Sequence, residues 1–349
     1  MFKSRRRQSR SVVGLELDPA HVAAAEVSVN GSITVTRGAV AHLRPGVIRD
    51  GEVADPQGLT DALKTLFAEH DLPRRVRLGV SNQRIVVRSL DLPPIDDEKA
   101  LAAAVRVEAP DHIPMPMDEA ILDFQPLGKV VNPQGQERSR VVVVAVRREM
   151  IDRVVGAAKD AGLQLEGIDL SAFAMVRAIG ETEDDAVLYV NVAGLTNVAV
   201  ANAHGCLFTR AAAGGLDGMV HSLSEKRGLT LEHANQWMQH VGLLAPLEEV
   251  EGDPELVSAA RATLEEGVHQ LADTVRNSLN FYRMQDGAEH VERALMTGPA
   301  VAIPGFAERV SDLLKLPVDP AVVGIDPEAE GVDAGRLTVA AGLAVEDRL

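Results

Sequence analysis

One structural pattern occurs twice in this chain, and the two copies begin about half a chain length apart. In residues 12–27, two short apolar runs flank a tight, acidic turn that contains a proline. In residues 186–202, a buried apolar run, a turn of small residues and a second apolar run follow one another. The turns align at Glu16 and Asn191, which lie 175 positions apart in a chain of 349 residues. A strand–turn–strand unit that recurs at half the chain length predicts a duplicated fold with two similar halves.

The remaining elements follow from hydrophobic periodicity and from the positions of proline and glycine. Alternating apolar residues predict a strand in 76–90, an apolar run predicts a buried strand in 140–146, and the polar stretch 128–139 predicts an exposed turn. Apolar residues that recur every three to four positions predict helices in 56–70, 147–161, 264–282 and 335–344.

Charge and composition exclude several classes of protein. The chain has 35 Lys and Arg against 51 Asp and Glu, a formal charge of −16, which disfavours binding to a phosphate backbone. Its apolar runs are interrupted by charges, so we expect no transmembrane helix and no signal peptide. Cys206 is the only cysteine, which excludes an internal disulfide and a thiolate metal cluster and fits the cytoplasm.

The first eleven residues form a basic segment, which we expect to be a disordered tail. An alternative is weak attraction of this segment to the anionic inner face of the membrane. The cations that would mediate this attraction are Lys3, Arg5, Arg6, Arg7 and Arg10.

Conventional catalytic motifs are absent from the sequence. It contains no nucleophile elbow, no Walker-type phosphate loop and no HExxH, and its ten histidines are scattered. We expect Cys206 to be a buried, inert thiol, and we assign no catalytic residue. The two hairpin turns remain, because a pair of tight turns can direct backbone N–H groups at a phosphate chain between them.

A series of short motifs, in order along the chain, resembles the PilM family of type IV pilus assembly proteins. The match extends from about residue 12 to about residue 345. The motifs are Arg88 to Pro94 (RSLDLPP), Ala109 to Pro114 (APDHIP), Ile121 to Phe124 (ILDF), Leu207 to Arg210 (LFTR) with Gly214-Gly215, Ser278 to Tyr282 (SLNFY), Leu295 to Gly298 (LMTG) and Ala341 to Ala344 (AGLA).

The resemblance implies an α/β fold of the actin-like type that FtsA also has, with two domains, each a mixed β-sheet flanked by helices. The first domain would span residues 12–185 and contain an inserted, family-specific subdomain at about 80–146. The second would span residues 186–349 and contain a helical subdomain at about 216–290.

The resemblance also implies a role and a partner. Members of the family bind ATP in the central cleft and bind the cytoplasmic N-terminal peptide of the inner-membrane protein PilN, which links the pilus motor to the membrane platform. We therefore expect a cytoplasmic scaffold at the inner face of the membrane, in a type IV pilus or a type II-secretion-like machine. The peptide groove would lie where the first domain meets its inserted subdomain, with Leu92, Pro93, Pro94 and Ile113 at its rim. Alternatively, Leu-Pro-Pro only ends a strand.

The turn residues depart from the family pattern for binding ATP. The first phosphate turn of the family reads Asp-Ile-Gly-Ser with a later Lys, whereas this chain has Glu16-Leu17-Asp18-Pro19 and Ala23. The Asp-x-Gly of the second turn is Asn191-Val192-Ala193. Asp18 adds a side chain and a negative charge, and Pro19 lacks an N–H group. The residues left as candidates for a nucleotide are Glu16, Asp18, Asn191, Gly194, Thr196, Gly214, Gly215 and Gly298, with Asp18 and Asn191 as candidates to hold Mg²⁺ through water.

These departures predict a degenerate nucleotide site, function without a bound nucleotide and no ATP turnover, with retained binding of Mg-ATP as the alternative. One alternative is an active ATPase in which Asp18 positions the magnesium ion. A further alternative is a filament-forming membrane scaffold similar to FtsA, which we rank last because the chain ends at Glu346-Asp347-Arg348-Leu349 without an amphipathic anchor helix.

Overall fold

The computed structural model describes residues 11–132, 134–180, 184–285, 287–329 and 332–346, so the predicted basic tail lies outside the described residues except for Ser11. The strands are β1 Val13–Leu17, β2 His21–Asn30, β3 Ser32–His42, β4 Ile48–Arg49, β5 Glu52–Val53, β6 Arg75–Val80, β7 Val86–Leu92, β8 Ala120–Val131, β9 Glu137–Arg147, β10 Gln164–Leu170, β11 Ala186–Val192, β12 Leu195–Asn202, β13 Gly205–Ala213, β14 Val291–Thr297, β15 Val318–Pro320 and β16 Gly324–Ile325. The α-helices are α1 Pro56–Glu69, α2 Glu98–His112, α3 Arg148–Asp160, α4 Ser171–Ile179, α5 Leu216–Arg227, α6 Leu231–Val241, α7 Pro254–Arg283, α8 Phe306–Leu314 and α9 Ala334–Ala344.

Two large mixed sheets share an arrangement of five strands, to which the first sheet adds β16, and this confirms the predicted duplication. The first has the order β10-β6-β1-β2-β3-β16, and the second has the order β15-β14-β11-β12-β13. In each sheet the central strand pairs antiparallel with the next strand in the chain and parallel with a later one. Thus β1 pairs with β2 and β6, and β11 pairs with β12 and β14. The turns after β1 and β11 therefore occupy equivalent positions in the two halves.

A third sheet, of order β7-β9-β8, lies within the region predicted as an inserted subdomain. Helix α2 covers this sheet and buries Leu101, Val105 and Ala109 against it. Asp97 caps the helix by accepting a hydrogen bond from the N–H of Ala100.

Two sequence predictions in this region are wrong in detail. Residues 76–90 form two strands in different sheets, because the chain turns between β6 and β7. There the side chain of Asn82 donates to the carbonyl of Asp50 and accepts from the N–H of Arg84, so it supports a turn in place of a continuous strand. The turn predicted at 128–139 is shorter than expected, since β8 continues to Val131 and β9 begins at Glu137.

The long helix α7 begins ten residues before the start that its apolar stripe indicated. Asp253 caps it by accepting from the N–H groups of Glu255 and Leu256, and Pro254 occupies the first turn, where its missing N–H costs nothing. Leu264, Val268 and Val275 on its inner face are buried against the second sheet. None of the helices in the described residues is long and apolar enough to cross a membrane.

The last helix, α9, packs against the first sheet although it is the final element in the chain. It contacts β1, β2 and α4, and the close approach requires Gly14, where a Cβ atom would lie 1.8 Å from the carbonyl oxygen of Ala340. The N-cap residue Asp333 accepts from the N–H groups of Gly335 and Arg336. This packing carries Arg336 to the cleft between the two halves.

Candidate functional site

The turn after β1 reaches across the cleft and binds the equivalent turn of the other half. Asp18, which is 3% exposed, accepts hydrogen bonds at Oδ2 from the N–H of Gly194 at 3.1 Å and from the N–H of Leu195 at 3.2 Å. Its Oδ1 accepts from the N–H of Ala20 at 3.3 Å, within its own turn. Both oxygens accept hydrogen bonds, which is the pattern of an ionised carboxylate.

Gly194 makes this contact between the turns sterically feasible. A Cβ atom at position 194 would lie 1.8 Å from Oδ1 of Asp18, a distance that no side chain tolerates. The glycine therefore admits a carboxylate from the other half of the same chain into this turn.

Three further charged or titratable side chains surround Asp18. The Nδ1 atom of the fully buried His21 lies 3.4 Å from Asp18 Oδ1, 3.5 Å from Asp217 Oδ2 and 3.0 Å from Arg336 Nη1. Arg336 donates to both carboxylate oxygens of Asp217, at 2.6 Å and 3.3 Å. Asp217 lies on α5 of the second half, whereas His21 lies on β2 and Arg336 on the helix that packs on the first sheet. The cluster therefore joins the two halves.

Burial dominates the electrostatics of the two acids in the first turn. It raises the pKa of Glu16 to about 8, against an opposing effect of His21. It also raises the pKa of Asp18, while His21 and the hydrogen bonds from backbone N–H groups act against the rise.

The pKa values of His21 and Asp217 are shifted by the charged side chains that contact them. Burial alone would lower the pKa of His21, but the carboxylates of Asp18 and Asp217 raise it above its ordinary value. Burial would raise the pKa of Asp217, but hydrogen bonds from His21 and Arg336 hold it well below its usual range. The shifts of His21 and Asp217 therefore both arise from charged groups that belong to the other members of this cluster.

The same cluster contains the donor atoms of a possible metal site. Asp18, His21 and Asp217 each offer a ligand atom, and these atoms lie within 4.8 Å of one another. Arg336 is in contact with both His21 and Asp217, and its positive charge already neutralises the place that a cation would take. Asn191, the other predicted magnesium residue, lies against Gly298, where its Oδ1 would be 2.6 Å from an added Cβ atom. These residues do not fit a magnesium ion in the present arrangement.

A separate cavity of about 470 Å³ opens beside the second turn and contains three of the predicted nucleotide residues. Thr196, Gly214 and Gly215 line one end of it, and the Oγ1 of Thr196 donates to the carbonyl of Gly214 at 2.8 Å. Helices α5 and α7 form its walls and contribute Lys226 and Glu266. Gly194 and Leu195 do not line this cavity, and their N–H groups already donate to Asp18, so they are not available to a phosphate in this arrangement.

The predicted site residues thus divide into three groups. Asp18 and Gly194 lie in the closed turns with Glu16 just before them in β1, Asn191 lies against Gly298, and Thr196, Gly214 and Gly215 line the cavity. Sequence reasoning missed His21, Asp217 and Arg336. One signal for Arg336 was available, because it is the only charged residue in the otherwise small and apolar helix α9.

A second cavity, of about 410 Å³, lies between the first sheet and the three-stranded sheet. Its lining combines one edge strand of each sheet, β10 and β8, with residues of α3 and α4. Apolar side chains predominate, among them Ile121, Phe124, Ile168 and Phe173. The junction that the resemblance indicated is therefore a groove.

The four residues predicted for the rim of the peptide groove do not line this cavity. Leu92 and Ile113 are 2% and 4% exposed and form part of the core beneath α2. Pro93 and Pro94 are exposed, but they follow β7, the opposite edge of the three-stranded sheet from β8. Leu-Pro-Pro ends a strand here, because proline cannot donate a hydrogen bond to the neighbouring strand.

Known proteins share both the sequence pattern and the fold. A family model described as "Type IV pilus assembly protein PilM" matches residues 14–346. A chain in the PilM-PilN type IV pilus biogenesis complex is 26% identical, with a TM-score of 0.76, and the match covers 96% of this chain and 97% of that chain.

Two more distant structures resemble the chain in fold alone. Ethanolamine utilization protein EutJ from Carboxydothermus hydrogenoformans has a TM-score of 0.53 at 16% identity, with 95% of this chain and 88% of that chain covered. MreB5 of Spiroplasma citri bound to ADP has a TM-score of 0.54 at 12% identity, with 96% and 95% covered. The fold is therefore actin-like. Because the family model matches nearly the whole chain, this protein belongs to the PilM family of type IV pilus assembly proteins.

Proposed function

We propose that this protein is a cytoplasmic scaffold at the inner face of the membrane, in a type IV pilus or type II-secretion-like machine. It binds the cytoplasmic N-terminal peptide of a PilN-like inner-membrane protein and so connects the motor with the membrane platform. Membership of the family supports this role, and the 26% identical relative is a component of a complex named for PilM and PilN.

The main structural support for this proposal is the presence of a groove between β8 and β10. Each of these strands is the edge of its sheet among the described strands, so one side of each backbone is free to pair with an added strand. An extended peptide can be recognised in this way: its backbone pairs with a sheet edge, and pockets select its alternate side chains.

The side chains of the groove favour a peptide with apolar residues at alternate positions. Ile121 and Phe124 on β8 and Phe173 on α4 are partly buried, and Ile168 on β10 is 36% exposed. An apolar surface of this kind gains free energy when a partner covers it, at about 25 cal/mol for each Å² removed from water. Asp123 adds one exposed negative charge to the β8 side, which favours a basic residue in the partner.

The proposal is tested by measuring the affinity of the full chain for a synthetic peptide with the N-terminal cytoplasmic sequence of its PilN-like partner. Ile168→Asp places a charge in the apolar groove, and we expect the dissociation constant to increase at least about tenfold, which is about 1.4 kcal/mol. The matched control is Leu231→Asp, an exposed leucine (42%) at the start of α6, far from the groove in the second half. Equal affinities for wild type and Ile168→Asp, with both proteins folded, contradict the groove as the peptide site.

We further propose that this scaffold functions without ATP turnover. The carboxylate that an active ATPase would use to position magnesium, Asp18, is engaged by backbone N–H groups on both of its oxygens. The lysine of the family pattern is Ala23, a buried residue on β2. A filter assay for phosphate release tests this, and hydrolysis that Asp18→Ala abolishes would establish the ATPase alternative.

A further inference from the structure

The two turns that face each other across the cleft are joined by a carboxylate of the chain itself. The Oδ2 atom of Asp18 accepts from two successive backbone N–H groups, those of Gly194 and Leu195. Successive N–H groups in a turn form a concave site that binds one anionic oxygen, as in phosphate-binding loops. In this protein, the oxygen that fills the site belongs to the opposite half of the same molecule.

We propose that Asp18 is an internal substitute for a nucleotide phosphate, and that its carboxylate holds the two halves of the cleft closed when no nucleotide is bound. This inference goes beyond the proposed function and does not depend on the PilN-like peptide. It assigns to a side chain the task that a bound phosphate chain performs in actin-like proteins that close on a nucleotide.

The first turn is built to present this carboxylate. Asp18 accepts the N–H of Ala20, two residues later, and its own N–H donates to the carbonyl of His21, so the residue is held on both sides. Pro19 has no N–H group and a restricted φ angle, which limits the conformations of the turn. The side chain is therefore positioned before it meets Gly194, where an added Cβ would collide with it.

A second connection between the halves replaces the cation that would accompany phosphate. Arg336 extends from the helix that packs on the first sheet and donates two hydrogen bonds to Asp217 on α5. His21 lies between this pair and Asp18, with its Nδ1 within 3.5 Å of an oxygen of each carboxylate. The guanidinium group of Arg336 thus places a positive charge beside the carboxylate of Asp217 and against the ring of His21.

Hydrogen exchange tests this inference directly on the full-length protein. In the wild type without nucleotide, we expect the amides of the segment that contains Gly194 and Leu195 to be protected. In Asp18→Ala, we expect their exchange to become at least about tenfold faster, because both N–H groups lose their acceptor. Asp312→Ala, a change of an aspartate on α8, is the matched control and leaves the segment protected. If the wild-type segment exchanges as fast as that of Asp18→Ala, the inference is wrong.

A nucleotide experiment supplies the second measurement. Asp18→Gly empties the site and restores the glycine of the family pattern. We expect millimolar Mg-ATP to raise the melting temperature of Asp18→Gly and to leave that of the wild type unchanged. An equal rise in both proteins shows that the carboxylate does not occupy the phosphate site and overturns the inference.

If Asp18→Ala fails to fold, Asp18→Asn replaces it in the hydrogen-exchange experiment, because the amide has the shape of the carboxylate without its charge. In that variant we expect the amides of Gly194 and Leu195 to exchange measurably faster than in the wild type, although the increase should be smaller than in Asp18→Ala. An unchanged exchange rate would contradict the inference.

The peptide assay separates this inference from the proposed function. Loss of peptide binding in Ile168→Asp reports on the groove between β8 and β10, whereas protection of the Gly194 amide reports on the contact between the two turns in the cleft. A wild-type protein that fails to bind the peptide but keeps these amides protected would contradict the proposed function. The same result would support the inference that Asp18 substitutes for a phosphate.

Discussion

Arg336 donates to Asp217 with both terminal nitrogens of its guanidinium group, although the two residues lie 119 positions apart and the helix of Arg336 packs on the first sheet. Each side chain is only 12% exposed, so neither charge is well solvated without the other. Removal of one partner from a buried pair leaves the remaining charge uncompensated. We therefore expect Arg336→Met to lower the free energy of unfolding by about 3 kcal/mol, measured by urea denaturation.

Arg84→Met provides a matched control for this prediction. Arg84 pairs with Glu52 at 2.9 Å, but the side chains are 66% and 29% exposed, and surface pairs of this kind contribute about 0 to 1 kcal/mol. Equal losses in Arg336→Met and Arg84→Met would mean that the pair across the cleft contributes no more than an ordinary surface ion pair.

Glu16 makes the stability of the protein depend on pH. Burial raises the pKa of Glu16 to about 8 from an ordinary value of 4.5, so between these values the folded state holds a proton that the unfolded state has released. The free energy of unfolding must then fall as pH rises, with a limiting slope of about 1.4 kcal/mol per pH unit for one proton. The raised pKa of His21 acts in the same direction, since its contribution is lost as pH rises through the folded-state value.

Glu16→Gln tests this dependence, because the amide has the shape of the acid and does not titrate. We expect melting temperatures measured from about pH 5 to about pH 8 to decline less in Glu16→Gln than in the wild type. The variant should also be the more stable of the two at the alkaline end. Parallel declines in the two proteins would show that Glu16 is not the group responsible.

The contact between Asp18 and Gly194 predicts a strong coupling between the two positions. Gly194→Ala alone introduces a methyl group 1.8 Å from Asp18 Oδ1, and we expect a loss of about 2 kcal/mol in the free energy of unfolding. The three nearest atoms to that methyl group all belong to Asp18, so in the background of Asp18→Gly the same change should cost less than about 0.5 kcal/mol. Chemical denaturation of the four proteins of this cycle gives the coupling energy.

Gly218→Ala is the control for the glycine change. Gly218 lies in α5 with no atom within 4 Å of an added Cβ, and alanine favours a helix by up to about 1 kcal/mol. This variant should be at least as stable as the wild type. A loss for Gly194→Ala that persists in the background of Asp18→Gly would locate the steric conflict in another part of the cleft.

Cys206 should report global unfolding. The thiol is 4% exposed, it donates to the carbonyl of Phe208, and burial raises its pKa to about 12. Because the thiolate is the reactive species, we expect a thiol reagent at neutral pH to modify Cys206 only at urea concentrations that unfold the chain. Rapid modification of the native protein would mean that the hairpin of β12 and β13 opens locally.

Much of the fold followed from local patterns that depend on neighbouring residues in the chain. The repeated strand–turn–strand unit indicated the duplication, because alternating burial and turn residues are encoded within a dozen positions. Motifs in the order of the PilM family indicated the actin-like fold, which the family model and the structural relatives confirm. Asp18 and Pro19 marked the first turn as altered, because a charged side chain and a missing N–H group are properties of the residue types themselves.

The partners of the altered residues were decided by tertiary structure alone. Asp18 meets Gly194 because two similar sheets place their equivalent turns face to face, and Arg336 meets Asp217 because α9 returns to the first sheet. The assignment of β6 and β7 to different sheets, and the position of Leu92 in a core and not on a groove, have the same origin. Hydrophobic periodicity indicates which face of an element is buried, but the packing of distant elements determines which side chains meet there. For that reason the sequence by itself identified the family, the duplicated fold and an altered turn, whereas only the folded chain showed that a carboxylate of one half accepts hydrogen bonds from backbone N–H groups of the other.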